Sequence, residues 1–485
     1  MYEKINFKDR IVEKPNTYTV QTNDDGTVTL IPAFGKTLQE GTIINSKNMD
    51  HIEEGIKQLS NKVYIKDNYA VLTGSISVES NKVSGKEISL PNGFTSNNSF
   101  IIGFKWNEGY ATKTILGNLI TDGKEMTTNY MSNYTYGTNA YDEIPEVAKP
   151  YGIKKVVFIG GKRALAAAEP KARKALEGSE IEVTGSFVYG VDSTQTNIDR
   201  LVATPEVKEA DAVFGFGGGK ALDTAKMVAD ELDKVIFSFP TICSNCAAGT
   251  AIAVIYHDDG SFDRYGFPKA AKHLFIDTDV IAKAPVEYFW AGIGDALSKQ
   301  PEVTHVSEGE DLTNTGALGV AIAKTVSEPL FKYGEQGMDD VKNDTPSKAV
   351  EEIALDILVS TGYASNLTNQ KDFYYNSWHA HAFYNSTTAI KREGTYLHGQ
   401  IVSFGVLVLF AYFHEEEEFK KYQEFNKRIG LPVTLGELGL SQDDVEEITK
   451  GAMETNEYRN RPFDPEKFSE AIRRADELGK QLLEK

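Results

Sequence analysis

Three different rhythms of apolar and polar residues follow one another along the chain. Near the N-terminus, TYTVQTNDDGTVTLIP alternates apolar with polar positions on both sides of Asp24, Asp25 and Gly26, which predicts a β-hairpin turning on those three residues. NSKNMDHIEEGIKQLS then reads as a short capped helix. From Val63 to about Lys124, alternating runs such as VLTGSISV and SFIIGFKW, interrupted by Gly, Asn and Pro, predict a small all-β module. After Glu125 the period changes. KKVVFIGG has the continuous apolar pattern of a buried strand, runs into a glycine pair, and is followed by the helical KRALAAAEPKARKALEG and a further strand, IEVTGSFVYG. Strands alternating with helices imply a parallel sheet. ADAVFGF then ends in Gly217, Gly218 and Gly219 before a helix predicted to open at Lys220, and VIFSFP forms a strand closing at Pro240 and Thr241. The run from Phe404 to Phe413 suits a buried helix.

A chain of 485 residues exceeds one core, and 41% hydrophobic content suffices to build several. The divisions expected are 1–62, 63–125, an α/β nucleotide-binding region with a parallel sheet over 126–285, and an all-helical region over 286–485. The net charge of −19 argues against a nucleic-acid partner, which would need a basic face. MYEKINFKDR lacks the apolar core of a signal peptide, and no apolar run reaches the roughly 20 residues of a membrane span. A cytoplasmic protein with no membrane contact is therefore expected. Cys243 and Cys246 cannot supply a disulfide framework. Their C-x-x-C spacing admits a thioredoxin-like reading, but the small residues around them suit a buried, unreactive role better.

Chemistry concentrates in WHAHAFYNSTTAIKREGTYLHGQIVSFGVLVLFAYF, which carries three of the chain's eight histidines, His379, His381 and His398. A polar, turn-like segment separates His381 from His398, so two helix ends can meet there, and imidazoles joined by one distant carboxylate would bind a divalent metal with a coordination position left open. The competing reading makes all three ordinary polar residues of a helical domain. At Gly217–Gly219, backbone N–H groups and a helix N-terminus would face any ligand at the turn, a geometry that binds phosphate. A tight structural turn is the competing reading there.

Two resemblances rest on longer stretches. FKDRIVEKPNTYTV, NDDGTVTLIPAFG and EGTIINSKNMDHIEEGI resemble the small N-terminal domain of tailed-phage tail and baseplate proteins. FGFGGGKALDTAK, FPTICSNCAAGTAIAVIYHDDGS, FIDTDVIAKAPVEYFWAGIGDALSK and HAFYNSTTAI followed by YLHGQIVSFGVL, in that order from about Met131 onward, resemble the iron-containing (group III) alcohol dehydrogenases, nearest the glycerol dehydrogenase branch. This second resemblance implies a nucleotide-binding α/β domain, a helical domain after a seam near Pro285, and an active site between them. It also implies metal ligation by Asp295, His381 and His398, with His379 as a supporting neighbour. Asp with two His fits zinc and iron alike. Gly217, Gly218, Gly219 and Lys220 match the pyrophosphate turn, with Asp223 behind it. Thr241, Ser244, Thr250, Ile252 and Tyr256 match positions lining the adenosine and nicotinamide of NAD or NADP, although core packing would equally explain Ile252.

The chain departs from the family's pattern in three places. Gly161, followed by Lys162 and Arg163, stands where members that prefer NAD carry an acidic residue towards the ribose 2′-OH, so NADP is admitted. Cys246 replaces an aspartate of the glycerol pocket, which puts glycerol itself in question. Tyr384 replaces a histidine, as a proton relay or as a packed aromatic. The expected activity is hydride transfer between NAD(P) and a small alcohol or polyol, by a homo-oligomer. The rivals are a phage tail-associated binding protein carrying the dehydrogenase fold as a passenger, and a dehydroquinate-synthase-like lyase. The lyase would demand more basic residues than the 379–398 region offers.

Overall fold

The computed structural model describes residues 128–484 throughout and, before them, the strand segments Ile11–Val12, Tyr18–Thr22, Val28–Pro32, Thr37–Gln39, Val63–Lys66, Tyr69–Leu72, Gly74–Ser75 and Phe104–Lys105. The chain forms two compact units, Met1–Thr128 and Asn129–Lys485. In the first, Tyr18–Thr22 pairs antiparallel with Val28–Pro32, with Tyr18 opposite Pro32 and Thr22 opposite Val28, as the alternation around Asp24 to Gly26 predicts. Val63–Lys66 and Tyr69–Leu72 also pair antiparallel. The helix predicted over 45–60, most of SFIIGFKW and most of the stretches resembling tail proteins lie outside the described residues.

In the second unit we number the strands β1 (Asn133–Gly137), β2 (Lys155–Gly160), β3 (Glu182–Val188), β4 (Ala212–Gly217), β5 (Val235–Pro240), β6 (Ala253–Tyr256), β7 (Phe262–Gly266) and β8 (His273–Asp277). The main sheet runs β3-β2-β4-β5-β8-β1, and every pair in it is parallel. Parallel strands must be buried on both faces, which is why VVFIG, after the partly exposed Lys155, and AVFGFG are continuously apolar rather than alternating. Successive residues serve opposite faces. Val156 and Phe158 join Phe214, Phe216, Phe237 and Phe239 against α1 (Lys162–Leu176), through Leu165, Ala168 and Ala172. Val157, Ile159 and Val213 pack on the other side against α2 (Gln195–Ala203) and α3 (Gly219–Glu231), through Ile198, Leu201, Leu222 and Ala225. The helix α3 opens at Gly219, one residue earlier than predicted.

From β2 the chain turns to β3 on one side of the sheet, and from β4 to β5 on the other, so the loops after β2 and β4 diverge and leave a crevice at their C-terminal ends. Gly161 and Gly217 stand at the lip of that crevice.

After β8 the described chain is helical. The elements used below are α4 (Val286–Ala296), which Pro285 precedes as N-cap, α5 (Lys299–Val306), α6 (His379–Thr387) and α7 (His398–Phe413). The helix predicted from Phe404 to Phe413 is the C-terminal part of α7, and it is buried from Phe404 to Ala411. Among the described residues no helix is long and apolar enough to cross a membrane.

Candidate metal centre and nucleotide cleft

The N-terminus of α7 lies against α4 at a separation that only glycine allows. A Cβ on Gly399 would stand 1.7 Å from the carbonyl oxygen of Ala291, and one on Gly294 would stand 2.4 Å from the carbonyl of Gly399. This contact brings His398, the first residue of α7, to Asp295 near the end of α4, with Nε2 to Oδ1 at 2.9 Å. From the adjoining helix α6, His381 points its Nε2 at the same carboxylate oxygen, 3.7 Å away. One ligand atom from each of Asp295, His381 and His398 lies within 4.8 Å of the other two.

Glu302 holds His381 in this pose. One oxygen meets Nδ1 of His381 at 2.6 Å. The other accepts the backbone N–H of Trp378 at 2.8 Å and that of His381 at 3.0 Å. Carboxylate, imidazole and open nitrogen form the arrangement by which proteins orient a metal-ligating histidine. Burial by itself would raise the Asp295 carboxyl. The charge and hydrogen bond of His398, joined by His381, outweigh burial and hold it below its ordinary value. In Glu302 the same contest is won by His381 and the two backbone N–H groups.

His379 is on the opposite side of α6. It is fully buried among Trp378, Tyr412, Phe413, Phe463 and Phe468, and neither ring nitrogen has a hydrogen-bond partner. Burial holds its imidazole neutral, with a pKa well below the usual range. Residues two apart on a helix cannot share a face, which separates the two histidines. Tyr384, one turn after His381, sets its ring edge-on to His398 with centroids 4.2 Å apart. Burial, with the Asp295 charge behind it, raises the phenol, which keeps its proton.

A cleft of ≈ 2360 Å³ joins this cluster to the crevice of the sheet, and every site residue expected from the sequence lines it: Gly161, Gly217, Gly218, Gly219, Lys220, Asp223, Thr241, Ser244, Cys246, Thr250, Ile252, Tyr256, Asp295, His381, Tyr384 and His398. Lys162 and Arg163 line it as well. Gly217 has φ +147, a conformation that residues with a side chain rarely adopt. Gly218 is the N-cap of α3 and contributes no side-chain cap, so the first N–H groups of that helix face the cleft without an intrahelical partner. A bare helix N-terminus under a glycine turn fits a pyrophosphate. Lys220 is ion-paired to Asp192 and lies 5.0 Å over the Tyr256 ring. Asp223 works from beneath the cleft: its carboxylate accepts from Val254 N at 3.0 Å and meets Lys226 Nζ at 2.9 Å.

Sequence reasoning missed Lys226, Glu302 and Lys299. Lys226 is wholly buried, and its ammonium donates to the carbonyls of Ala247, Thr250 and Ile252 at 2.8, 3.1 and 2.5 Å. That fan of bonds shapes the loop between β5 and β6. Within this loop Cys243 is buried under Ala354, and Cys246 faces the cleft. Both thiols are free, and burial raises both, that of Cys246 to about 11. A redox dithiol needs a readily formed thiolate, so the thioredoxin-like reading of C-x-x-C is set aside.

The model of the iron-containing alcohol dehydrogenases matches residues 132–277, all within the second unit. A glycerol dehydrogenase of Thermotoga maritima is 33% identical over 307 residues, 60% of this chain and 82% of its own length. The chain belongs to the iron-containing alcohol dehydrogenase family. That membership makes it an oxidoreductase. A glycolaldehyde reductase of Halobacterium salinarum is a second relative in the comparison, 28% identical over 368 residues, 73% of this chain and 98% of its own. Among solved structures, the glycerol dehydrogenase of Schizosaccharomyces pombe superposes with a TM-score of 0.65 at 26% identity, covering 75% of this chain and 93% of that one. The parallel sheet followed by helices is thus the fold of this family.

Proposed function

We propose that the unit Asn129–Lys485 is a dehydrogenase passing a hydride between NAD or NADP and the carbinol carbon of a small alcohol or polyol, with a divalent ion held by Asp295, His381 and His398. The observation that carries this reading is the convergence of three donor atoms at one end of a cleft whose other end is the bare N-terminus of α3. The donor set fits zinc or iron: one carboxylate oxygen and two imidazole nitrogens, with room left for a substrate oxygen. In this reading the nucleotide half runs over 126–285 and the metal-holding half over 286–485.

When bound, the ion polarises the carbinol oxygen and the nicotinamide accepts or returns the hydride. The protein's own groups do the positioning. Gly217, Gly218 and Gly219 admit a pyrophosphate close to the backbone, Glu302 keeps Nε2 of His381 directed at the centre, and Tyr384 offers a protonated Oη beside His398. Gly161 leaves the ribose end without a carboxylate, with Lys162 and Arg163 alongside, which favours acceptance of a 2′-phosphate.

Turnover of a panel of diols, polyols and aldehydes with both nucleotides, with and without chelator, tests the proposal. Activity on at least one small alcohol or aldehyde that chelator abolishes and zinc or ferrous iron restores is the expected result. A fully active chelated protein, or none active with any of the panel, would overturn it.

A further inference from the structure

Lys299 is a cleft residue that the proposed reaction leaves without a role. It is 4% exposed, yet lines the same cleft as Asp295, His381 and Cys246. It follows Asp295 by four residues, and Leu297 and Ser298 between α4 and α5 keep right-handed helical angles. Asp295 and Lys299 therefore lie on one helical face, about 6 Å apart along the axis.

An ammonium carries three protons. Lys299 gives two of them to Asn376, at 2.9 Å to its carbonyl oxygen and 2.7 Å to Oδ1, and Ser365 Oγ pins that Oδ1 from the other side at 2.7 Å. No further partner for the third proton, and no carboxylate within ion-pair distance, occurs among the described residues. Asp295 and Glu302 are the nearest acidic groups along its own helical face, and both are engaged, Asp295 by His398 and His381, Glu302 by His381 and two backbone N–H groups. Glu457 also lines the cleft, with its oxygens occupied by Ser377 and Asn385. The Cys246 thiol is neutral and adds no negative charge.

A buried charge is retained where it meets a partner. Among the described residues Lys299 has only the neutral Asn376 as its hydrogen-bond partner, and Asp295 acts on it from beyond ion-pair distance, so its ammonium can still take a carboxylate in the cleft. We propose that Lys299 receives a carboxylate of the substrate, so that the alcohol oxidised here is a short hydroxy acid. This deepens the proposed function and rests on it. The balance is that of the same reaction: the carbinol C–H bond breaks with its electron pair passing to the nicotinamide, the hydroxyl proton leaves to solvent, and an oxo acid remains.

The test compares an acid with its neutral isostere, lactate against lactamide and 3-hydroxypropanoate against 3-hydroxypropanamide, in the zinc-loaded full chain. Both kcat/KM with each nucleotide and the calorimetric Kd are measured. The wild type should favour the acid at least tenfold. The acid-to-amide ratio should fall by about ten- to a hundredfold in Lys299→Met, the span of a charge-assisted hydrogen bond, and recover in part in Lys299→Arg. A wild-type ratio of one or below, or a ratio unmoved in Lys299→Met, overturns the subsite. Should Lys299→Met not fold, the wild-type ratio and Lys299→Arg still decide. Turnover of neutral diols with no preference for acids would sink the subsite alone. Acid-selective binding lost in Lys299→Met, with no turnover of anything, would sink the dehydrogenase reading and keep the subsite.

Discussion

Oε2 of Glu302 lies 2.6 Å from Nδ1 of His381, and this one contact decides which imidazole nitrogen faces Asp295. Replacing Glu302 by Gln keeps the shape and removes the charge that orients and enriches the ring. Zinc affinity, measured by competition with a chromophoric chelator, should fall by roughly ten- to a hundredfold. Unchanged affinity in a folded Glu302→Gln protein would show that the contact is only structural.

His381→Ala and His398→Ala should each lose bound metal and nearly all turnover, while His379→Ala should keep the metal and lose stability by about 2 to 4 kcal/mol through the hole left in its aromatic cage. Metal analysis of the three purified variants checks this. Metal kept in His381→Ala and lost in His379→Ala would reverse the assignment.

At Gly161 a Cβ would meet the Tyr189 ring at 3.7 Å and Ala164 at 3.8 Å, ordinary contacts, so an aspartate fits without strain. The native protein should use NADP at least as well as NAD, and Gly161→Asp should shift the kcat/KM ratio towards NAD by about tenfold or more, the cost of setting a carboxylate against a 2′-phosphate. A strong native preference for NAD would rule this out.

Cys246 presents a neutral, weakly hydrogen-bonding thiol to the cleft, so glycerol should be a poorer substrate than less hydroxylated alcohols. Cys246→Asp should gain roughly one decade in kcat/KM for glycerol. The idea fails if the unmodified protein already prefers glycerol to every mono-alcohol.

Asp356 begins the π-helical turn Asp356–Ser360. Burial pushes its carboxyl up to about 8, and Oδ2 has no hydrogen-bond partner. The folded protein then keeps a proton that the unfolded chain sheds near pH 4, so this group makes stability fall as pH rises from about 4 to about 8. Asp356→Asn removes a cost of at most about 5 kcal/mol. Its gain in Tm should be larger at pH 8 than at pH 5, and equal gains at both would contradict the assignment.

The mostly apolar runs VVFIG, AVFGFG and VIFSFP, in which Ser238 is the one polar residue, determined by themselves that parallel strands would form, because a strand buried on both faces carries apolar residues at successive rather than alternate positions. The three consecutive glycines and the paired histidines likewise named both ends of the cleft, since a phosphate turn and a metal ligand each require particular residue types. Family resemblance, not periodicity, preferred His381 to His379. Only the tertiary structure decided what surrounds each: one imidazole against Glu302 and Asp295, the other inside five aromatic side chains. Nothing local in ALDTAKMVAD and ALSKQPEVTH marks Lys226, Lys299 and Glu302 as buried. Their partners, Ala247, Asn376 and His381, stand 21, 77 and 79 residues away along the chain, so their roles arise only when distant segments pack.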